Sequence, residues 1–134
     1  MDKEKIKRGI ERVAKRHREI VAAYLYGSHA RGLATEKSDI DVAILLDEGY
    51  SMGALYPARI IGEIEKELRL EVDVRILNES SPRFIHQVLK YGEVVYSRAE
   101  RKRIAFEVAA MRMYLDMKPL HAEYNRIRRA LLAR

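Results

Sequence analysis

Hydrophobic residues recur along this chain with two kinds of spacing, which predict helices and strands in alternation. Spacings of three and four residues are typical of amphipathic helices, whereas unbroken apolar runs and strict alternation are typical of strands. The predicted helices lie at residues 3 to 17, near residues 57 to 68, and from Ser81-Pro82 to Gly92. The predicted strands lie at about residues 19 to 26, 39 to 46, 70 to 77 and 93 to 97. This order predicts an α/β (α+β) fold in which helices cover a small mixed sheet of about four strands.

A long basic helix is predicted from residue 98 onwards. Its apolar residues are spaced by four, three and four positions, both from Ile104 to Leu115 and from Leu120 to Leu131. Pro119 lies between these stretches, and we expect it to kink or split the helix. We therefore predict a core at residues 1 to 97 and a C-terminal helical extension at residues 98 to 134, which packs on the core, on a partner protein or on both.

Length and composition narrow the class of protein. The 134 residues suffice for one domain with one core. The chain contains no cysteine, which excludes disulfide bonds and thiolate metal sites. Its first nineteen residues are rich in Lys, Arg and Glu, unlike a signal peptide, and no apolar run approaches the length needed to cross a membrane. We therefore expect a cytoplasmic protein without a membrane segment.

The net charge of +6 is unevenly distributed along the chain. Residues 1 to 19 hold eight Lys and Arg against four Asp and Glu, residues 20 to 97 hold eight against twelve, and residues 98 to 134 hold ten against four. The acidic centre fits a metal site. The basic ends fit phosphates, nucleic acid or an acidic protein partner, and they fit solvated helix faces equally well.

Two carboxylates begin the second predicted strand. Asp39 and Asp41 are two positions apart, so they lie on the same face of that strand, while Ile40 and Val42 point to the other face. Like charges this close repel each other unless a cation lies between them, and the usual divalent cation for carboxylate oxygens in a cell is magnesium. We therefore predict that Asp39 and Asp41 are metal ligands.

A loop with the composition of a phosphate-binding loop precedes these carboxylates. The first predicted strand ends in Gly27-Ser28, and Gly32 follows after a short polar segment. Glycine lets the backbone come close to a ligand, and the Ser28 hydroxyl adds a hydrogen-bond donor. A turn is expected at residues 35 to 37. The loop and the carboxylates together predict a site for a metal ion and a triphosphate.

The spacing of these residues resembles the signature of a known superfamily. Gly27-Ser28, ten intervening residues and then Asp39-x-Asp41 resemble the motif of the polymerase-beta-like nucleotidyltransferases. The segment Gly-Ser-His-Ala-Arg-Gly, followed by Ser-Asp-Ile-Asp, is most similar to the corresponding segments of the minimal nucleotidyltransferases of the MntA antitoxin type. The resemblance covers roughly residues 10 to 97 and implies a nucleotidyltransferase fold in which Gly27 and Ser28 hold the β- and γ-phosphates.

The resemblance also implies roles for two further residues. A third carboxylate on a neighbouring strand completes the metal site in this superfamily, and Asp73 is the residue that fits. It would bind the second of two Mg²⁺ ions and help to take the proton from the attacking hydroxyl; the alternative is a strand charge paired with Arg75 or a lysine. Arg31 would contact the nucleotide phosphates; the alternative is an exposed loop cation.

The implied reaction is transfer of AMP from ATP to an acceptor hydroxyl with release of pyrophosphate. By resemblance to the MntA type, the acceptor would be a tyrosine of a HEPN-family ribonuclease toxin, which the protein silences as an antitoxin. Two other classes stay open: an antitoxin that binds without catalysis, and an RNA-directed nucleotidyltransferase or RNA-binding helper. Nucleic-acid binding is supported by the basic ends alone and opposed by the lack of a groove of stacking aromatics. The sequence also leaves a homo-oligomer open.

Overall fold

A computed structural model describes residues 2 to 35 and 38 to 133 of the chain. The helices are α1 (Lys3–Lys15), α2 (Gly27–Ala30), α3 (Tyr56–Leu68), α4 (Pro82–Tyr91) and α5 (Glu100–Leu132). The strands are β1 (Ile20–Tyr26), β2 (Ile40–Leu46), β3 (Val72–Ile76) and β4 (Glu93–Ser97). These elements follow the predicted order, with boundaries shifted by one or two residues. Two residues of the turn predicted at residues 35 to 37, Glu36 and Lys37, lie outside the described residues.

The four strands form one mixed sheet in the order β3-β2-β1-β4. Strand β1 pairs antiparallel with both β2 and β4, whereas β2 and β3 are parallel. A parallel pair needs a long crossover, and α3 supplies it between β2 and β3. The predicted mixed sheet of about four strands is therefore confirmed.

Helices cover both faces of the sheet. Helices α1 and α3 pack on one face, where their apolar stripes, including Ile6, Ile10, Ile60 and Ile64, are at most 1% exposed. Helix α4 and the first half of α5 pack on the other face. The central strand β2 is buried from both sides because its residues beyond Asp41 are all apolar.

A partly buried hydrogen bond joins α5 to the sheet. The Tyr24 hydroxyl, on β1, donates to Glu107 Oε2 at 2.9 Å, and Glu107 in turn pairs with Arg103 at 2.5 Å. The Arg103 guanidinium also pairs with Glu100 at 2.8 Å. Because a buried hydroxyl needs a partner, this contact fixes where the first half of α5 lies.

Helix α5 is one helix through Pro119, so of the two predicted outcomes, a kink or a split, the split is wrong. Proline removes the hydrogen bond to the carbonyl four residues earlier, which is that of Leu115. The Leu115 residue is 55% exposed, so water can bond to this carbonyl. Beyond Pro119 the apolar residues of α5 face solvent, with Leu120 69% and Leu131 59% exposed. Within the described residues, no helix combines the length and apolar character needed to cross a membrane.

Candidate active site

The carboxylates predicted from the sequence lie at one end of the sheet. Asp39 immediately precedes β2 and is exposed, and Asp41 is the second residue of that strand and is half-buried. Ile40, between them, is fully buried in the core on the opposite face. The strand period therefore directs the two carboxylates to the same face, as predicted.

Strand register brings Asp73 beside this pair. Asp41 is the partner of Asp73 in the parallel pairing of β2 and β3, and of Tyr26 in the antiparallel pairing of β1 and β2. Residues in register on neighbouring strands point to the same face of a sheet. Tyr26, Asp41 and Asp73 therefore form a row across three strands.

The negative charges of this row are not fully neutralised. Burial of Asp41 raises the pKa of its carboxyl, and the charges of Asp73 and Asp39 raise it further, whereas His29 and Arg75 act in the opposite direction. Burial also raises the pKa of the Tyr26 phenol, and the charges of Asp41 and Asp73 raise it further. A site with this potential attracts cations.

Gly27 lies directly against the Asp41 carboxylate. Its φ is +74°, a left-handed value that favours glycine, and a Cβ placed there would lie 2.2 Å from Asp41 Oδ2. Ser28 follows within α2, which is a single helical turn. The loop and the carboxylates predicted as one site are therefore neighbours in the fold.

Arg31 has a partner outside the row of carboxylates. Its guanidinium carbon lies 4.8 Å from the centre of the Tyr91 ring, at the end of α4. Lys90 Nζ approaches the same ring at 5.2 Å. A cation over an aromatic face is held in place by the ring quadrupole. The structure thus ties the end of the loop to α4 through Arg31.

Sequence reasoning missed several residues that border the site. The Tyr26 ring packs edge-on against Phe84 at 5.5 Å, and the Arg75 guanidinium lies 5.6 Å from the Phe84 ring centre. Arg75 Nε is 3.5 Å from Asp73 Oδ2, the pairing considered as an alternative role for that carboxylate. His29 Nε2 contacts the Ser38 carbonyl oxygen at 3.1 Å. The alternation of β3 could have placed Arg75 on the same face as Asp73. The position of Phe84 follows only from the packing of α4, which the sequence does not give.

The carboxylates fit magnesium that is bound together with a phosphate ligand. Among the described residues, no group of three or more His, Cys, Asp or Glu side chains is arranged to hold a metal ion by itself. Magnesium in phosphoryl-transfer sites is usually held by one or two carboxylates together with substrate phosphates. Asp39 and Asp41 offer hard oxygen ligands in an electronegative setting, which meets that requirement.

Comparison with protein families identifies the fold and the broad activity. The profile of the family described as polymerase beta, nucleotidyltransferase, matches residues 8–101. The chain belongs to this family. It is therefore a nucleotidyltransferase, as its motif predicted. Among curated protein sequences, none matches the chain.

Solved structures extend the similarity over nearly the whole chain. A candidate minimal nucleotidyltransferase is 32% identical over 69% of this chain and 94% of its own, with a TM-score of 0.58. A chain of a toxin-antitoxin crystal structure with AMP-PNP is 22% identical over 94% of this chain and 98% of its own, with a TM-score of 0.77. A chain from a Shewanella oneidensis complex of a tri-AMPylated HEPN toxin with its MNT antitoxin is 20% identical over 98% and 99%, with a TM-score of 0.72. The last two share the fold of this chain, including the region of α5.

Proposed function

We propose that this protein transfers AMP from ATP, with magnesium, to a tyrosine hydroxyl of a HEPN-family ribonuclease toxin and thereby acts as its antitoxin. The observation that carries the proposal is the register of Asp41 with Asp73, next to the close approach of Gly27. The solved chains with the same fold come from toxin-antitoxin complexes, one with AMP-PNP and one with a tri-AMPylated HEPN toxin, and they support the choice of nucleotide and acceptor.

The nucleotide would bind on the β1 side of the row. Gly27 lacks a side chain where a Cβ would meet Asp41, so its backbone can approach a phosphate group held against that carboxylate. The Ser28 hydroxyl would donate to the β- or γ-phosphate. Arg31 would contact the phosphates from the end of α2, where Tyr91 holds its guanidinium.

The carboxylates would position the reacting groups and receive the proton. The acceptor oxygen attacks the α-phosphorus, the bond to the bridging oxygen breaks, and pyrophosphate leaves with that electron pair. Asp73 helps to take the proton of the attacking hydroxyl, which then passes to solvent. Asp39, Asp41 and Asp73 would hold two magnesium ions, which would supply positive charge to neutralise the phosphoryl group.

The C-terminal half of α5 would serve to reach the partner protein. Residues 1 to 97 would form the catalytic core and residues 98 to 134 the extension. Phe106 and Ala110 pack on the core in the first half of α5, whereas Tyr124 and Ile127 in the second half are 65% and 47% exposed. Exposed apolar residues in one row mark a contact surface more often than a solvated face.

Labelled ATP tests the proposal directly. The protein is incubated with magnesium and α-labelled ATP, alone, with a purified HEPN-family toxin, or with RNA. Label on a tyrosine of the HEPN protein supports the proposal. Label on RNA would replace it with the RNA-directed transferase, and neutralisation of the toxin without any label would replace it with a binding antitoxin. The Asp41→Asn variant controls for labelling by contaminants.

A further inference from the structure

The third carboxylate lies on the edge strand of the sheet. Strand β3 pairs with β2, and among residues 2 to 35 and 38 to 133 no strand pairs with its other side. The Ile40 amide donates to the Glu71 carbonyl at 3.0 Å, so Glu71, Asp73 and Arg75 carry their backbone groups towards β2. Alternation in the ladder then directs the backbone groups of Val72, Val74 and Ile76 to the outer edge.

Both ends of this outer edge are capped, and its middle is open. The Val72 amide donates to Glu65 Oε2 at 3.0 Å, and the Ile76 carbonyl accepts from Ser80 Oγ at 2.8 Å. In the part of the chain that the structure describes, the outward amide and carbonyl of Val74 have no such partner. Unpaired backbone groups on an edge strand are a template for an added strand.

The side chains next to this open edge are those of the active-site face. That face carries every second residue here: Glu71, just before β3, and then Asp73 and Arg75. All three are accessible, and the side chains of Asp73 and Arg75 are 48% and 61% exposed. The Phe84 ring packs against the Arg75 guanidinium. From Glu71 to Arg75, the exposed side chains beside the edge are therefore acidic, acidic and basic.

The two sides of Asp41 differ in what they can bind. Gly27 lies on the β1 side and Asp73 on the β3 side. If the triphosphate occupies the Gly27 side, as in the proposed function on which this step rests, the acceptor approaches from the β3 side. An in-line displacement requires the attacking and leaving oxygens to lie on opposite sides of the phosphorus.

We propose that the open edge of β3 binds an extended segment of the acceptor protein as an added antiparallel strand, with its hydroxyl residue opposite Asp73 and an acidic residue opposite Arg75. The backbone amide and carbonyl of Asp73 point towards β2, so Asp73 and the residue opposite it would form a non-hydrogen-bonded pair. In such a pair the Cα atoms are about 4.5 Å apart and the two side chains lie close together. Glu71 favours a basic residue opposite itself. The acceptor segment thus has the pattern acidic-x-Tyr-x-basic.

The local charges favour a protein segment over RNA. Between residues 69 and 83 the chain carries three basic and three acidic side chains: Arg69, Arg75, Arg83, Glu71, Asp73 and Glu79. A single-stranded nucleic acid is bound by a basic groove with stacking aromatics. This edge is balanced in charge, and the ring beside it, that of Phe84, already contacts Arg75 and Tyr26. Main-chain hydrogen bonds to an added strand supply affinity without such a groove.

Binding of short peptides to the full chain, without nucleotide, tests the register. The probe is fluorescent Thr-Glu-Thr-Tyr-Thr-Lys-Thr, measured by anisotropy. N-methylation of the Thr between Glu and Tyr, which lies opposite Val74, should weaken binding at least fivefold, because it removes a ladder hydrogen bond. N-methylation of the Tyr, whose amide points outward, is the matched control and should change affinity less than twofold. Equal losses for the two peptides, or no binding of the parent peptide, would overturn the proposal.

Charge exchange tests the role of Arg75. Arg75→Glu should weaken binding of the parent peptide about fivefold and restore it for the peptide with Lys in place of Glu, while Arg75→Lys keeps the original preference. A melt of each variant checks the fold. Labelling of the whole HEPN protein that is unaffected by excess peptide would overturn edge docking and leave the proposed function intact. Displacement of the peptide by oligouridylate at equal concentration would also overturn it, in favour of RNA.

Discussion

Replacement of Gly27 by alanine should damage the fold and the nucleotide site together. At φ +74°, an L-residue costs roughly 1 to 2 kcal/mol of folding free energy. The new Cβ would lie 2.2 Å from Asp41 Oδ2 and 3.1 Å from its carboxyl carbon, far inside van der Waals contact. Either the loop or the carboxylate must therefore move. We expect a total loss of about 2 to 4 kcal/mol and loss of ATP binding.

Gly32→Ala is the control that separates backbone strain from this contact. Gly32 has nearly the same φ, +72°, but nothing lies within 4 Å of its Cβ position. The control should therefore lose only the backbone cost, about 1 to 2 kcal/mol, and keep its ATP affinity. Urea unfolding gives the two stabilities, and equilibrium dialysis with labelled ATP and magnesium gives the affinities. If Gly27→Ala matched Gly32→Ala in both measurements, the close approach of loop and carboxylate would have no functional meaning.

Three further predictions concern the carboxylates and α5. Asp41→Asn should abolish transfer yet raise stability at pH 7, because burial and the neighbouring carboxylates raise the folded-state pKa of Asp41; solvent screening keeps this gain small. That gain should vanish in urea melts at a pH below the unfolded-state pKa, where the carboxyl is protonated in both states. Asp73→Asn should slow transfer at least a hundredfold with ATP affinity changed less than threefold; a parallel collapse of affinity would assign Asp73 to the first metal site. A chain ending at Lys118 should fold and bind ATP but label its partner poorly, because residues 119 to 133 are exposed except for the half-buried His121; failure to fold in a melt would place them in the core.

Local periodicity predicted the elements and the positions of the carboxylates. The period of two directed Asp39 and Asp41 to one face, because this statement needs only neighbouring residues. Asp73 was chosen from the resemblance to the superfamily, which calls for a third carboxylate on a neighbouring strand. Pairing partners far along the chain were not predictable in this way. The first helix was predicted to extend to residue 17, but α1 ends at Lys15, and His17 Nε2 lies 2.8 Å from Glu63, on α3.

The same limit applies to Arg31 and to Pro119. The contact of Arg31 with Tyr91 joins residues 60 positions apart, so it depends on how α4 packs rather than on the loop sequence. Proline in a helix removes one hydrogen bond and crowds the carbonyl four residues earlier, and the first of these costs is largest where that carbonyl is buried. On an exposed part of α5, that carbonyl can bond to water, and the helix continues. Exposure, which decided this outcome, follows from tertiary packing.

The location of the carboxylates at the end of the sheet explains how a repulsive cluster is compatible with a stable fold. Asp39 is exposed and the Asp73 side chain is 48% exposed, so solvent screens both charges. Asp41 is the member most affected, since burial raises its pKa first and its neighbours add to the effect. The repulsion that remains is relieved when a cation binds, and this relief adds to cation affinity while it subtracts from the stability of the metal-free protein. Stability and function therefore make opposite demands on Asp41, which is why its replacement by asparagine should strengthen the fold and end the chemistry.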